Sequence, residues 1–397
     1  MERIYLDNNA TTLTDPKVRD AMMPFFSQMY GNPNSLHSIG TEVHQHMRIA
    51  YDRIYAGINA ADEDDVVVNS GATEGNNTVI MSVYYDMIKN GERDTIITTE
   101  VEHPSVLAAC KFVEEQGGKV IYLPVNSEGV VDASTLRSFI NEKTALVSIM
   151  WANNETGMIF PIKEMAQIAK EHGALFHTDG VQAIGKLRVN LQDVPVDYMT
   201  FSAHKFHGPK GVGGLFIRNG APMVPLLHGG EQMGGLRSGT INVPGLVGMG
   251  LAMELAVDDL DFELHDVYDL KNKLEDAILE LPDILVVGQR EHRIPNTILV
   301  SVKGVEGEAM IWDLNKKGIA ASTGSACASE DLEANPIMLS VGAGPDLAHT
   351  AVRFSLSRFT TEDEIDYVIR EFKNSVERLR SISSSYAYTP KNHKSEL

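Results

Sequence analysis

Between about residues 45 and 220 the chain alternates short apolar, β-branched runs with stretches whose apolar residues recur at helical spacing. The runs at 65–68, 95–98, 120–123, 145–150, 174–177, 198–201 and 213–217 are apolar on both sets of alternate positions. A strand that is apolar on both faces has to be covered on both, so these runs predict a mostly parallel sheet with helices on each side. One intervening helix is predicted from Pro161, with Ile162, Met165, Ile168 and Ala169 on one face and a stop at Gly173. In sheets of this kind ligands sit beyond the carboxyl ends of the strands, which makes the polar residues just after each run the first candidates for a site.

Near residue 258 the texture changes. An acidic helical stretch is predicted over 258–281, with Leu264, Val267, Leu270, Leu274 and Ile278 at helical spacing. A smaller α/β unit follows, with a strand at 297–302, a helix at 307–317 stopped by Gly318, a strand at 352–356 and a last helix from Thr361. That helix opens on a capping box, Thr361-Glu-Asp-Glu364, and turns Ile365, Val368, Ile369, Phe372 and Val376 inward. The expected organisation is a segment 1–15 packing with the small domain, a large domain 16–257, a small domain 258–380 and a polar tail 381–397 that frays.

Composition narrows the function. A length of 397 residues suits two or three domains, or one large α/β domain with a smaller one, and 43% hydrophobic with 22% charged residues is an ordinary globular mixture. Lys plus Arg number 34 against 54 Asp plus Glu, a net charge of −20 that would be repelled by phosphate backbones and anionic lipid. No nucleic acid and no membrane partner is therefore expected, and small substrates are. The two cysteines, Cys110 and Cys327, exclude a disulfide framework and predict a reducing, cytoplasmic setting. Residues 1–9 lack the basic start and apolar stretch of a signal peptide, and the apolar runs fall far short of the ~18 residues a membrane span requires.

The most informative stretch is 200–214, Thr-Phe-Ser-Ala-His-Lys-Phe-His-Gly-Pro-Lys-Gly-Val-Gly-Gly, which places Lys205 just past a buried strand. Burial lowers an amine's pKa and makes it a nucleophile or Schiff-base former; read alone, Lys205 is more simply a solvated loop lysine. Its neighbours decide. Asp179 and Gln182 follow another apolar run, and a pyridoxal phosphate site needs a carboxylate that keeps the pyridine nitrogen protonated. Further upstream, Asn69-Ser-Gly-Ala-Thr-Glu-Gly75 lies between a strand and a helix, where backbone amides and the Thr73 hydroxyl hold a phosphate without net positive charge.

With these residues in view the chain resembles the NifS/IscS type of cysteine desulfurase, in the class V aminotransferase-like branch of fold-type I pyridoxal phosphate enzymes. The likeness runs from Tyr5-Leu-Asp-Asn-Asn-Ala-Thr-Thr12 to Arg353-Phe-Ser-Leu-Ser-Arg-Phe-Thr-Thr361. Between them lie Tyr30-Gly-Asn-Pro-Asn-Ser35 with Leu36 and His37, Ser70-Gly-Ala-Thr-Glu74, Glu102-His-Pro104, Asn153-Asn-Glu-Thr-Gly157, the Asp179 and Lys205 segments, Arg237-Ser-Gly-Thr240 and Ser325-Ala-Cys327. The resemblance implies a fold-type I α/β architecture whose large domain binds pyridoxal 5'-phosphate and whose small domain carries a catalytic cysteine loop. By the same resemblance Lys205 carries the cofactor, Asp179 pairs with its ring nitrogen and Gln182 contacts the ring hydroxyl. Ala72, Thr73, Ser202 and His204 are its expected phosphate site, with Thr240 reaching across from the partner subunit of a homodimer. His103 is expected to stack on the ring and act as acid/base, and Asn153 and Arg353 to bind the substrate carboxylate, Asn153 also contacting the cofactor. Cys327 is expected to attack the sulfur of L-cysteine, leaving alanine and a Cys327 persulfide for an iron–sulfur scaffold protein of the U type. No intrinsic metal site is expected, Cys327 being the residue that would meet iron through transferred sulfur or a cluster. The long interval from Cys327 to Arg353 matches the long-loop group, while the tail lacks the extension of housekeeping members.

Other features have plainer readings. His204 and His207 have no third ligand at a defined spacing, so a zinc site is not expected. Cys110, at helical spacing with Val106 and Val113, reads as a core residue, as does His177; the acidic stretch 258–269 reads as a solvated helix face. The rival functions are a transaminase or selenocysteine lyase of the same fold, which has no need of Cys327, and a catalytically silent scaffold, which the intact Lys205, Asp179, His103 and Arg353 argue against.

Overall fold

The computed structural model describes residues 3–89, 91–324, 335–383 and 386. The apolar runs form a seven-stranded sheet of β2 (Asp65–Asn69), β3 (Thr95–Thr99), β4 (Lys119–Leu123), β5 (Thr144–Ser148), β6 (Leu175–Asp179), β7 (Tyr198–Ser202) and β8 (Gly213–Ile217), after a short β1 (Ile4–Tyr5). Its order is β2-β8-β7-β6-β5-β3-β4. The pairs β3–β4, β3–β5, β5–β6 and β6–β7 are parallel, as predicted, but β8 runs antiparallel to both β2 and β7. That reversal makes β2 parallel to β7. The ends of β2, β3, β5, β6 and β7, which lead into five of the recognised motifs, therefore share one edge of the sheet.

Helices cover both faces. Ala72–Val83 and Pro104–Glu115 pack over a cluster that includes Val79, Ile80, Val106, Val113, Ala145 and Leu146, all buried. The predicted helix after Pro161 is present as Ile162–Glu171. A helix that the apolar pattern does not predict, Val243–Asp258, lies against His44–Ile58 on the other face. The contact is close: a Cβ on Gly250 would meet the backbone of Ala50 at 2.7 Å, so only glycine permits this approach.

A second core contains Val267, Leu274, Ile298, Val300, Phe354, Phe372 and Val376. Around it are β9 (Ile284–Val286), β10 (Thr297–Val302) and β12 (Ala351–Ser355), an antiparallel sheet of order β12-β10-β9, and the helix Glu362–Ile382 with its capping box formed. The predicted acidic helix is broken: a short helix at Leu260–Phe262 and a π-turn at Glu263–Val267 precede the regular helix Tyr268–Leu279. Its solvated-face reading needs correction at Glu263, which is buried and accepts a hydrogen bond from the Arg358 backbone N–H at 3.1 Å.

The N-terminal segment joins both parts. β1 pairs with β11 (Ile319–Ala320), and Ile4 and Leu6 enter the second core. Asn9 then donates to Thr297 Oγ1 at 2.8 Å and to the Asn154 carbonyl at 3.0 Å. Among the described residues no helix is long and apolar enough to cross a membrane.

Candidate active site

A cavity of about 890 Å³ opens at the shared sheet edge, with Thr73, His103, Asp179, Ser202, Lys205 and Arg353 among its lining residues. Ala72, Gln182 and His204 also line it. The topology explains the convergence, since parallel strands deliver their carboxyl ends, and whatever follows them, to the same side.

After β2 the chain reaches Gly71 at φ 149, ψ 174, backbone that essentially only glycine adopts. From there the helix Ala72–Val83 begins, and its first amides have no acceptor within the helix. A Cβ on Gly71 would lie 3.4 Å from Ser202 Oγ, so bare backbone, the start of a twelve-residue helix and a hydroxyl form one anion cradle. Glu74 does not compete for it: its carboxylate is engaged by Arg237 Nε at 2.8 Å and by the Ser70 N–H at 2.8 Å. Gly71→Ala should weaken cofactor retention about tenfold, the equivalent of ~1.4 kcal/mol of backbone strain, with equilibrium dialysis as the check.

Asp179 ends β6, buried, with Oδ1 accepting from the Val181 N–H at 3.0 Å and Oδ2 from Asn76 Nδ2 at 2.9 Å. Lys205 lies in a single 3-10 turn after β7 and donates from Nζ to the carbonyls of Asn9 at 2.5 Å and Ala10 at 3.0 Å. His103 caps the helix Pro104–Glu115, its Nδ1 accepting from the Ser105 N–H at 3.1 Å. Burial, reinforced by the nearby Lys205 charge and opposed by Asp179, holds its pKa below the usual imidazole range. Burial and then Lys205 push His204 down to about 4, so that ring is neutral at physiological pH.

Arg353, on β12, is only 2% exposed. Its Nη2 donates to Asp7 Oδ1 at 2.7 Å and its Nη1 to the Asn154 and Gly324 carbonyls at 2.9 and 3.3 Å, while Nε has no partner among the described residues. A buried guanidinium N–H without an acceptor, on a side chain that lines the cavity, suits a substrate carboxylate.

Two expected ligands lie outside the cavity, Thr240 as its expected reach to a partner subunit requires and Asn153 contrary to expectation. Asn153 lies behind the cavity wall: its Oδ1 accepts from the Glu155 and Thr156 N–H groups at 2.9 Å and its Nδ2 donates to the Val101 carbonyl at 3.1 Å, which leaves Asn154 facing the cavity. Thr240 is exposed and outside it. Cys327 falls outside the described residues, but both ends of its segment are at the cavity mouth. Gly324 lines the cavity, and Asn335 Nδ2 donates to Glu155 Oε2 at 2.6 Å and to the Thr323 carbonyl at 3.4 Å.

Sequence reading also passed over several polar groups. Lys186, four positions after Gln182, is buried with Nζ on Gln182 Oε1 at 2.5 Å, and burial with the charge of Lys205 lowers its pKa to about 7. Gln182 Nε2 in turn donates to the Asn9 carbonyl at 3.1 Å. Glu102 lines the cavity with its pKa pushed by burial up to about 8. Asp7 and Glu102 stand inside recognised motifs, and only their burial and pairing reveal a task. Of the plainer readings, His177 is fully buried with Ser148 Oγ on Nδ1 at 2.8 Å. His204 Nδ1 meets Thr11 Oγ1 at 3.1 Å, and His207 Nδ1 donates to the Leu13 carbonyl at 2.9 Å.

The class-V aminotransferase family profile matches residues 4–368. A cysteine desulfurase of Nostoc sp. is 45% identical over 384 residues, covering 96% of this chain and 95% of its own. The cysteine desulfurase NifS of Azotobacter vinelandii is 44% identical over 384 residues, with the same two coverages of 96% and 95%. A solved NifS-like protein superposes with a TM-score of 0.88 at 39% identity, covering 96% of this chain and all of that one. A second, from Rickettsia africae, gives 0.85 at 28% identity, over 95% of this chain and all of that one. With the family profile spanning both cores and relatives at this identity over nearly the whole length, the chain belongs to the class-V aminotransferase family.

Proposed function

We propose that the protein is a pyridoxal phosphate-dependent cysteine desulfurase, converting L-cysteine to L-alanine and carrying the sulfur away as a persulfide on Cys327. The observation that carries the reading is the meeting, at one cavity, of Lys205, the Asp179 carboxylate, the Gly71 cradle and the two ends of the Cys327 segment. These residues fit the cofactor. The amides of Ala72 and Thr73, with Thr73, Ser202 and His204, would hold the phosphate; Asp179 would hold the ring nitrogen; Gln182, fixed by Lys186, would meet the ring hydroxyl; and Lys205 Nζ would anchor it.

When bound, the cofactor supplies an electron sink for the charge left on the substrate Cα. Arg353 orients the amino acid by its carboxylate, as Asp7 and the Asn154 carbonyl already fix two corners of the guanidinium. Lys205 Nζ takes the Cα proton, and the Asn9 and Ala10 carbonyls that hold it now set where that amine stands. His103, its pKa lowered by burial, is available to hydrogen-bond groups in the cavity. The Cys327 thiolate then attacks the substrate sulfur: an S–S bond forms, the substrate C–S bond breaks, and its electron pair goes to the carbon skeleton, which takes up two protons, the one Lys205 removed from Cα and the equivalent of the one the Cys327 thiol gave up, to leave as alanine.

The same reading extends to a homodimer, in which exposed Thr240 serves the second copy, supported by the exposed apolar side chains of Met23, Phe26, Tyr30 and Leu36. It also extends to a cytoplasmic setting, to the division near residue 257 into a cofactor-binding body and a smaller unit, and to an iron–sulfur scaffold of the U type as sulfur acceptor. The test is the holoenzyme with L-cysteine and a thiol reductant: alanine and sulfide should appear in equal amounts. Amino-group transfer to a keto acid without sulfide would overturn the reading in favour of a transaminase.

A further inference from the structure

Two groups that handle protons in this cavity, Asp179 and His103, are joined by side chains with no assigned part. Asn76, on the helix Ala72–Val83, is fully buried. Its Nδ2 donates one hydrogen to Asp179 Oδ2 and the other to Ser105 Oγ, both at 2.9 Å, and its Oδ1 accepts from Thr200 Oγ1 at 2.5 Å. Turning the amide over would set its oxygen against the Asp179 carboxylate, so Asp179 fixes which way it points. Ser105 Oγ, 2.8 Å from His103 Nδ1, already accepts from Asn76 and has its own hydrogen left to give. Nδ1 also accepts the Ser105 backbone N–H at 3.1 Å. A nitrogen that receives two donors carries no hydrogen itself, and a neutral imidazole then bears its single hydrogen on Nε2.

We propose that Asn76 and Ser105 are positioning residues through which the Asp179 carboxylate holds His103 in the Nε2–H tautomer, making it a hydrogen-bond donor rather than a base toward the cavity. The proposal rests on the desulfurase reading only for the reaction that this tautomer serves. Adding a proton at Nδ1 would turn that nitrogen into a donor facing two donors, so the network opposes the imidazolium form, in the same direction as the burial of the ring.

The test uses the full chain with its cofactor, labelled with ¹⁵N-histidine, the His103 signals identified by their absence in His103→Gln. The parent should show a hydrogen-bearing Nε2 and a bare Nδ1. Ser105→Ala removes the hydroxyl donor without touching Asp179; it should give a mixed nitrogen pattern and a kcat about tenfold lower, with KM for cysteine within about twofold, the size of one neutral hydrogen bond. Ser105→Thr, which keeps the hydroxyl, should restore both. Asn76→Asp draws the Ser105 hydrogen to itself and should shift the pattern further, but only Ser105→Ala decides if that variant does not fold. A parent His103 with hydrogen on Nδ1, or a Ser105→Ala variant in which nitrogen pattern and kcat do not change together, overturns the proposal. Absence of alanine from cysteine would instead remove the desulfurase reading and leave the nitrogen pattern to be judged by itself.

Discussion

Replacing Lys205 by alanine should lower alanine formation from cysteine by more than about 10³-fold, because one change removes both the proposed anchor of the cofactor and the proposed base at Cα. The cofactor should still bind, since the Gly71 cradle, Ser202 and Asp179 are untouched. Borohydride separates the two roles: it should fix the cofactor covalently to the parent and not to the variant. A structural effect accompanies the chemical one. Lys205 Nζ holds the Asn9 and Ala10 carbonyls, and the same Asn9 joins the Thr297 hydroxyl, so its loss should cost roughly 1–3 kcal/mol in urea unfolding. A variant that retained tenfold-reduced turnover would place the base elsewhere.

The second large effect is at sulfur. Cys327→Ala should reduce sulfide release to background, again more than about 10³-fold, with cofactor occupancy and its visible absorption unchanged. Occupancy should be preserved because the side chains proposed to hold the cofactor, Thr73, Asp179, Ser202 and Lys205, lie at the strand ends of the seven-stranded sheet. Cys110→Ala is the matched control. That thiol is fully buried on the helix Pro104–Glu115, and burial pushes its pKa up to about 12, so it supplies no thiolate and its loss should leave the rate unchanged. Full sulfide release by the Cys327 variant would favour a lyase that does not use a protein thiol.

The strands of the large sheet were legible because burial on both faces reduces the need for polar residues, leaving mainly apolar runs such as those of β5 and β7, buried throughout. Strand direction leaves no such mark, and β8, with the same kind of run, turns out antiparallel. The helix Val243–Asp258 escaped for the opposite reason. It is apolar on nearly every side, so it has no stripe, and Gly250, which reads as a breaker, is where it meets the neighbouring helix. The acidic stretch hid its break because a π-turn changes the hydrogen-bond ladder without changing composition.

For the site, Lys205, Asp179 and the Gly71 turn were legible because each follows a strand at the edge where ligands bind. Asn153 was misread as a ligand, since an Asn that caps its own turn and one that faces a cavity look alike in sequence. Partners distant in the sequence were not legible at all. The Asp7–Arg353 ion pair and the Asn76–Ser105 link depend on which strand ends are brought together, which local pattern does not encode.

The most direct measurement of the central claim is intact-mass and peptide mass spectrometry of the holoenzyme after brief exposure to L-cysteine without reductant. One added sulfur on the peptide containing Cys327, none on that containing Cys110, and alanine in solution in equal amount are predicted. An unmodified Cys327 alongside alanine production would contradict the account.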